Sequence, residues 1–127
     1  MDSPGHASLF IVDSDVAILD SLKFSLQLQG FAVHPYKEGT DLLEMAAWPA
    51  NGCLVIEHSL PENPGLELVA TLRARGIKLP VIIVASAPTP DLEQRAAEAG
   101  AAQVLAKPLA HNILVATIRT ALAEHRI

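Results

Sequence analysis

Carboxylates, a hydroxyl and a lysine follow three short apolar runs in this 127-residue sequence. Directly after the first run come Asp13, Ser14 and Asp15. Glu57 follows another run, and Lys107 follows the last. Neighbouring carboxylates repel one another and raise each other's pKa values, and a nearby lysine opposes that rise. If the runs are strands that end side by side, these residues form an acidic cleft with either a structural or a retained ionic role.

The sequence lacks the usual marks of several enzyme classes around this cleft. No glycine-rich loop follows the first run, which argues against a nucleotide or flavin site. The single cysteine, Cys53, excludes an internal disulfide and a cysteine-based zinc site, and it is expected in the core. His58, next to Glu57, is expected to be a solvated loop residue. A small flavodoxin-like enzyme is therefore the weakest alternative, and we expect no catalytic activity.

Five apolar runs alternate with helical segments along the chain. The runs cover residues 9–12, 32–36, 53–56, 81–84 and 103–106. The first, third and fourth are continuously apolar, which is typical of strands buried on both faces of a parallel sheet. The alternation predicts a three-layer, doubly wound α/β fold with five β-α units. We expect the flavodoxin-like strand order 2-1-3-4-5, which brings the residues of the cleft together at the carboxyl ends of the strands.

The helices are marked by apolar spacing and by their end signals. Leu19, Leu22 and Leu26 recur at three- and four-residue spacing, and Gly30 closes this first helix. The other helices are predicted over residues 40–47, 66–75, 90–99 and 110–125. No repeat or linker interrupts the pattern, so we expect a single domain over residues 1–127 with its core at about 8–124.

Charge and composition narrow the class of partner. Lys plus Arg number 9 and Asp plus Glu number 14, so the formal charge is 9 − 14 = −5. An acidic chain with only 3 Phe, 1 Trp and 1 Tyr argues against direct binding to nucleic acid, which needs a basic face. No apolar run approaches the roughly 18 residues of a membrane span. The first residues do not form a signal peptide. We expect a cytoplasmic globular domain.

The sequence resembles the receiver domain of bacterial response regulators from about residue 8 to residue 124. The resemblance rests on residues 11–15, 57–65, 99–101 and 107–108. The sequence is most similar in appearance to the receivers that are attached to helix-turn-helix regulators of nitrogen-fixation type. Such receivers act in two-component phosphorelay signalling. The family uses an aspartate after the third strand as phosphoacceptor and an acidic pair after the first strand to hold Mg²⁺. A Thr or Ser after the fourth strand and a lysine after the fifth grip the phosphoryl group, and an aromatic residue in the fifth strand switches.

Four positions of this sequence depart from the family pattern. The phosphoacceptor position holds Glu57, and the second acidic position holds Ser14. The hydroxyl position after the fourth strand aligns with Ala85, with Ser86 one residue later, and the switch position holds Val104. The retained features are the carboxylates of Asp13 and Asp15, the lysine Lys107, and the Lys107-Pro108 bond, which the family holds in cis.

These departures predict a receiver that is not phosphorylated at a useful rate. Glutamate carries its carboxylate about 1 Å farther out than aspartate, and a misplacement of that order can cost ~10²-fold in rate. Mg²⁺ prefers near-ideal octahedral oxygen geometry, so Ser14 in place of a carboxylate weakens its hold, and no resident cofactor is expected. A second hypothesis has Glu57 reach Lys107 and imitate the charge of a phosphorylated aspartate. The alternative is a receiver still phosphorylated or responsive to Mg²⁺ at Asp13, Asp15 or Glu57.

The resemblance also implies a surface for protein partners. In the family, helix four, strand five and helix five form the face that meets partners or a second copy. Here that face is expected to consist of Ala96, Ala99, Val104, Ile113 and Ile118. The expected function is phosphorylation-independent binding of a sensor kinase, another regulator or a second copy as a homodimer. The other interpretation is that the extra apolar residues of the last helix are scattered surface residues.

Overall fold

Five strands alternate with five helices in the computed structural model, which describes residues 7–45 and 47–125. The strands are β1 (Ser8–Val12), β2 (Ala32–Tyr36), β3 (Gly52–Glu57), β4 (Val81–Ala85) and β5 (Gln103–Ala106). The helices are α1 (Val16–Leu28), α2 (Gly39–Leu43), α3 (Gly65–Ala74), α4 (Pro90–Ala99) and α5 (His111–His125). The predicted core of about 8–124 falls within the described part except for residue 46, while residues 1–6 and 126–127 of the predicted domain lie outside it.

The strands form one parallel sheet in the order β2-β1-β3-β4-β5, which confirms the predicted topology. The register places Val12, the last residue of β1, level with Ile56 of β3. Because parallel strands end at the same edge of a sheet, the residues after β1 and β3 lie beside one another. This edge carries the cleft that the sequence predicts.

Apolar side chains cover both faces of the sheet. The side chains of β3 alternate between the two faces: Leu54 and Ile56 pack under α2, α3 and α4, whereas Cys53 and Val55 pack under α1 and α5. Cys53 is fully buried, as predicted, and burial raises the pKa of its thiol to about 12. The thiol is therefore protonated and serves as a small apolar core group.

Gly30 ends α1 as predicted, and Thr89 and Pro90 mark the start of α4. Gly30 follows α1 with φ 95°, a left-handed conformation that glycine adopts without a steric penalty. Thr89 caps α4 by accepting the Leu92 N–H at its hydroxyl oxygen over 3.0 Å, and Pro90 takes the first helical position.

The second helix is shorter than the sequence predicts. A helix over 40–47 was expected, but α2 ends at Leu43. Its N-cap residue, Glu38, makes no side-chain cap hydrogen bond, and so short a helix depends on packing rather than on its own stability. Beyond it, Trp48 packs against Phe10 with ring centroids 5.3 Å apart, which holds the chain in a non-helical path toward β3. Residue 46 of the predicted helix lies outside the described residues.

Candidate functional site

An ion pair network joins the ends of three strands. Asp13 follows β1, Glu57 is the last residue of β3, and Lys107 follows β5. The Lys107 Nζ atom lies 3.1 Å from Asp13 Oδ2 and 3.0 Å from Glu57 Oε2. The contact between Glu57 and Lys107, predicted from the length of the glutamate side chain, is thus confirmed. The lysine bridges both carboxylates.

The remaining carboxylate oxygens accept hydrogen bonds from the β1–α1 connection. Glu57 Oε1 accepts from both the backbone N–H and the hydroxyl of Ser14, each at 3.1 Å. Asp13 Oδ1 accepts from the backbone N–H of Asp15 at 2.9 Å. All four oxygens of Asp13 and Glu57 therefore have a donor within the protein. The two bonds from Ser14 were not foreseen, because the sequence does not show the direction in which a loop serine points.

The two carboxylates have opposite pKa shifts. Burial raises the pKa of the Asp13 carboxyl, and this outweighs the lowering by the Asp15 N–H and by Lys107. Burial also acts to raise the pKa of Glu57, but hydrogen bonds from Lys107 and Ser14 outweigh it, so its pKa is lowered. Burial acts to lower the pKa of Lys107, and the bonds to Glu57 and Asp13 raise it above its usual value. Glu57 and Lys107 are therefore a stable charged pair at neutral pH.

Asp15 does not contribute its carboxylate to the cleft, so its placement among the acidic cleft residues is wrong in that respect. Its Oδ1 atom accepts hydrogen bonds from the N–H groups of Ala17 at 2.9 Å and Ile18 at 3.4 Å. The side chain is exposed and is the N-cap of α1. An aspartate immediately before a helical segment is a common cap, and this signal was available in the sequence.

The end of β4 lacks the hydroxyl that the family uses there, as the sequence predicts from Ala85. Ala85 is buried at the end of β4, and the next residue, Ser86, is exposed. After β5, the peptide bond between Lys107 and Pro108 is cis, as the resemblance implies. His58 differs from its expected solvated state: the residue is half-buried, and its Nδ1 atom is buried with no hydrogen-bond partner among the described residues.

The predicted interaction face is only partly exposed. Ala96 and Ile118 are 1% and 0% exposed, so their assignment to a partner surface is wrong. Both belong to the core because they lie on the helix stripes that face the sheet. Ala99 and Val104 are half-buried against the core, and Ile113 is 52% exposed.

The family model for the response regulator receiver domain matches residues 9–119. The chain belongs to this family. Receiver domains are components of two-component signal transduction, and this receiver has the parallel CheY-like fold of its relatives. Among the described residues of the receiver, no helix is long and apolar enough to cross a bilayer.

Relatives of this receiver include two named regulators. It is 33% identical over 114 residues to the response regulator MprA of Mycobacterium leprae, covering 90% of this chain and 50% of that protein. It is 31% identical over 121 residues to the transcriptional regulatory protein FixJ of Azorhizobium caulinodans, covering 95% of this chain and 57% of that protein. The receiver thus spans about half the length of these relatives.

Solved structures show the same fold. A CheY-like receiver domain protein from Methanospirillum hungatei superposes with a TM-score of 0.87 at 25% identity, covering 96% of this chain and 98% of that one. Full-length FixJ from B. japonicum gives a TM-score of 0.85 at 28% identity, covering 94% of this chain and 59% of that one.

The receiver family implies a Mg²⁺ ion in this cleft, and the residues present do not fit one as they are arranged. The Lys107 ammonium lies between the carboxylates of Asp13 and Glu57, where it already supplies their positive partner. Ser14 brings no charge, and the carboxylate of Asp15 is engaged with the backbone of α1. A cation that prefers several oxygen ligands in octahedral geometry would have to displace these contacts.

Proposed function

We propose that this receiver signals without accepting a phosphoryl group and works by binding a protein partner, with its cleft held in one state by Glu57. The observation that carries the proposal is the 3.0 Å contact between Lys107 Nζ and Glu57 Oε2. In the family, this lysine grips the phosphoryl group on the residue after the third strand. Here the carboxylate of Glu57 takes the place of the phosphoryl group, so Lys107 has a negatively charged partner without phosphorylation.

The rest of the cleft favours a fixed state over a switch. Phosphoryl transfer depends on positioning and on stabilisation of the developing charge. For those tasks the family uses a carboxylate where this chain has Ser14, and a hydroxyl where this chain has Ala85. Val104 lacks the aromatic ring that moves with that hydroxyl in the family. Every oxygen of Glu57 is already hydrogen-bonded, which lowers its availability as a nucleophile.

Labelling with radioactive acetyl phosphate in the presence of Mg²⁺ tests the proposal. We expect no label on the wild-type chain, because losses in nucleophile position, metal ligation and charge stabilisation multiply. The matched control is the triple variant Ser14→Asp, Glu57→Asp, Ala85→Thr, which restores the family's residues and should become labelled. Label on wild-type Glu57, or a folded triple variant that stays unlabelled, would contradict the proposal.

The partner surface that we propose consists of α4, β5 and α5. We propose that the receiver binds its partner in the cytoplasm. Ile113 of α5 is 52% exposed and Val104 of β5 is half-buried, so both elements offer apolar contacts. A net charge of −5 accords with a protein partner rather than nucleic acid. In this function the chain has no catalytic reaction of its own and needs no resident cofactor.

A further inference from the structure

The two edge strands of the sheet differ in their protection. An edge strand presents unpaired N–H and C=O groups, and proteins commonly block such edges with proline or charged residues. The edge strand β2 contains Pro35, which has no N–H to offer. The edge strand β5 has the sequence Gln103 to Ala106 with no proline and no charge. Among the described strands, β5 pairs only with β4.

The ladder register shows which peptide groups of β5 face the free edge. Lys107 N–H donates to the carbonyl oxygen of Ala85 at 2.9 Å, and Ala85 lies level with Ala106. Backbone groups of alternate residues point to opposite sides of a strand. The peptide groups of Val104 and Ala106 therefore point away from β4, toward the open edge.

A groove lies on each side of β5. The groove between α4 and β5 has a volume of about 250 Å³, and Ala97 and Glu93 are among its lining residues. The groove between β5 and α5 has a volume of about 280 Å³, and Thr120 and Glu124 are among its lining residues. Most lining side chains are small, so the helices leave the strand edge accessible. A strand added at this edge would place alternate side chains in the two grooves.

The charges of the grooves favour a basic occupant. Each groove carries one carboxylate, from Glu93 or Glu124, and among the described residues no lysine or arginine lines either groove. The arginines of these helices are engaged elsewhere. Arg95 contacts Asp91 at 3.5 Å, and the Arg119 guanidinium lies 5.2 Å from the centre of the Phe31 ring. A second copy added edge to edge would bring only the same carboxylates, whereas lysine or arginine side chains would complement them.

We infer that the β5 edge binds an extended basic segment of a partner protein, which adds to the sheet as a sixth strand with one cationic side chain in each groove. This inference rests on the proposed function, because it names the kind of partner that the α4–β5–α5 surface takes. The backbone groups of Val104 and Ala106 provide the hydrogen bonds, and Glu93 and Glu124 select for positive charge.

An NMR titration of the ¹⁵N-labelled chain with the peptide acetyl-Thr-Lys-Val-Val-Lys-Thr-amide tests the inference. Lysines three residues apart in an extended peptide project to opposite faces, one toward each groove. We expect saturable shifts of the Val104 and Ala106 amides and slower solvent exchange of both. A peptide with glutamate in place of both lysines should produce none.

Two sets of variants separate backbone pairing from charge. Val104→Pro removes an outward N–H and should weaken binding by about 5- to 10-fold, whereas Val104→Thr keeps the N–H and should stay within about twofold of wild type. Glu93→Gln with Glu124→Gln should weaken binding and reduce its dependence on salt. If Val104→Pro fails to fold, the double variant Glu93→Gln with Glu124→Gln tests the inference instead, because both of its positions are exposed.

Several outcomes would overturn the inference. These are shifts centred on α1 or on the cleft, a folded Val104→Pro that binds as wild type does, an unchanged affinity in the charge variant, or self-association through β5 without peptide. Acetyl phosphate labelling reports on Glu57 alone, so a failure of this inference and a failure of the proposed function are distinguishable.

Discussion

Glu57 stabilises the folded state through its ionised carboxylate, which the folded protein holds with hydrogen bonds. Its carboxylate accepts from Lys107 Nζ at 3.0 Å and from Ser14 N–H and Oγ at 3.1 Å, on a side chain that is 15% exposed. Hydrogen bonds to a charged group contribute more than those between neutral groups. Because these bonds favour the ionised form, they lower the pKa of Glu57 despite its burial. The stability of the domain is thereby linked to pH.

Glu57→Gln should lower the free energy of unfolding by about 1–2 kcal/mol at pH 7, because the variant loses the ion pair but keeps an acceptor. The folded-state pKa of Glu57 lies below the ordinary value of 4.5, so the contribution of its charge is complete above pH 4.5 and is lost as the pH falls through the folded-state pKa. The difference between wild type and variant should therefore shrink below pH 4.5. Urea denaturation of both chains across this range measures it.

Asp13→Asn is the internal contrast, because burial raises the pKa of Asp13. An acid whose pKa is raised on folding binds its proton more tightly in the folded state, so its contribution grows as the pH falls from that raised pKa toward 3.8. The difference between wild type and Asp13→Asn should change with pH in the opposite direction to that of Glu57→Gln. The same pH trend in both variants would show that the assigned cleft electrostatics are wrong.

At the scale of elements, one arginine ties together the ends of α3 and α4. The Arg73 guanidinium donates to the carbonyl oxygens of Ile77 at 2.9 Å, Leu79 at 2.9 Å and Gly100 at 2.7 Å. These carbonyls belong to the α3–β4 connection and to the residue that ends α4. The side chain therefore positions α4 beside α3, and with it the groove between α4 and β5.

Arg73→Ala should lower the free energy of unfolding by about 2–3 kcal/mol, because three carbonyls lose a charged donor at a half-buried site. The matched control is Arg75→Ala two residues later. Arg75 donates a single exposed bond, to the Leu43 carbonyl at 2.8 Å, so its loss should cost less than about 1 kcal/mol. Chemical denaturation of both variants measures the difference, and equal losses would contradict the bridging role of Arg73.

The sequence predicted elements better than it predicted side-chain directions. Continuous apolar runs identified β1, β3 and β4, since strands buried on both faces carry a strong pattern, whereas β2 and β5 were identified from the alternation of apolar runs with helical segments. Strand order then placed Asp13, Glu57 and Lys107 together, because the carboxyl ends of parallel strands share one edge. The sequence did not show that Asp15 caps a helix while Ser14 turns toward Glu57, since both directions depend on local dihedral angles. The convergence of three carbonyls on Arg73 requires the packed helices and has no sequence signal.

At the scale of the whole molecule, the apolar residues of α5 divide between core and surface. Leu114 and Ile118 are four residues apart, so they lie on one helix face, and both are 0% exposed in the layer that covers the sheet with α1. Ile113 precedes Leu114 by one residue, which rotates it away from the sheet, and it is 52% exposed. The sequence could not divide these residues, because apolar side chains also occur on ordinary protein surfaces.

Replacing the two isoleucines of α5 separates the core from the partner surface. Ile118→Ala should lower the free energy of unfolding by about 2–5 kcal/mol, because it opens a cavity among side chains that contact both α1 and the sheet. Ile113→Ala should change the free energy of unfolding by less than about 0.5 kcal/mol, because its side chain is half in solvent. Thermal and urea unfolding measure both changes. A large loss at Ile113 or a small one at Ile118 would mean that α5 is rotated about its axis, and the groove it forms with β5 would then have a different lining.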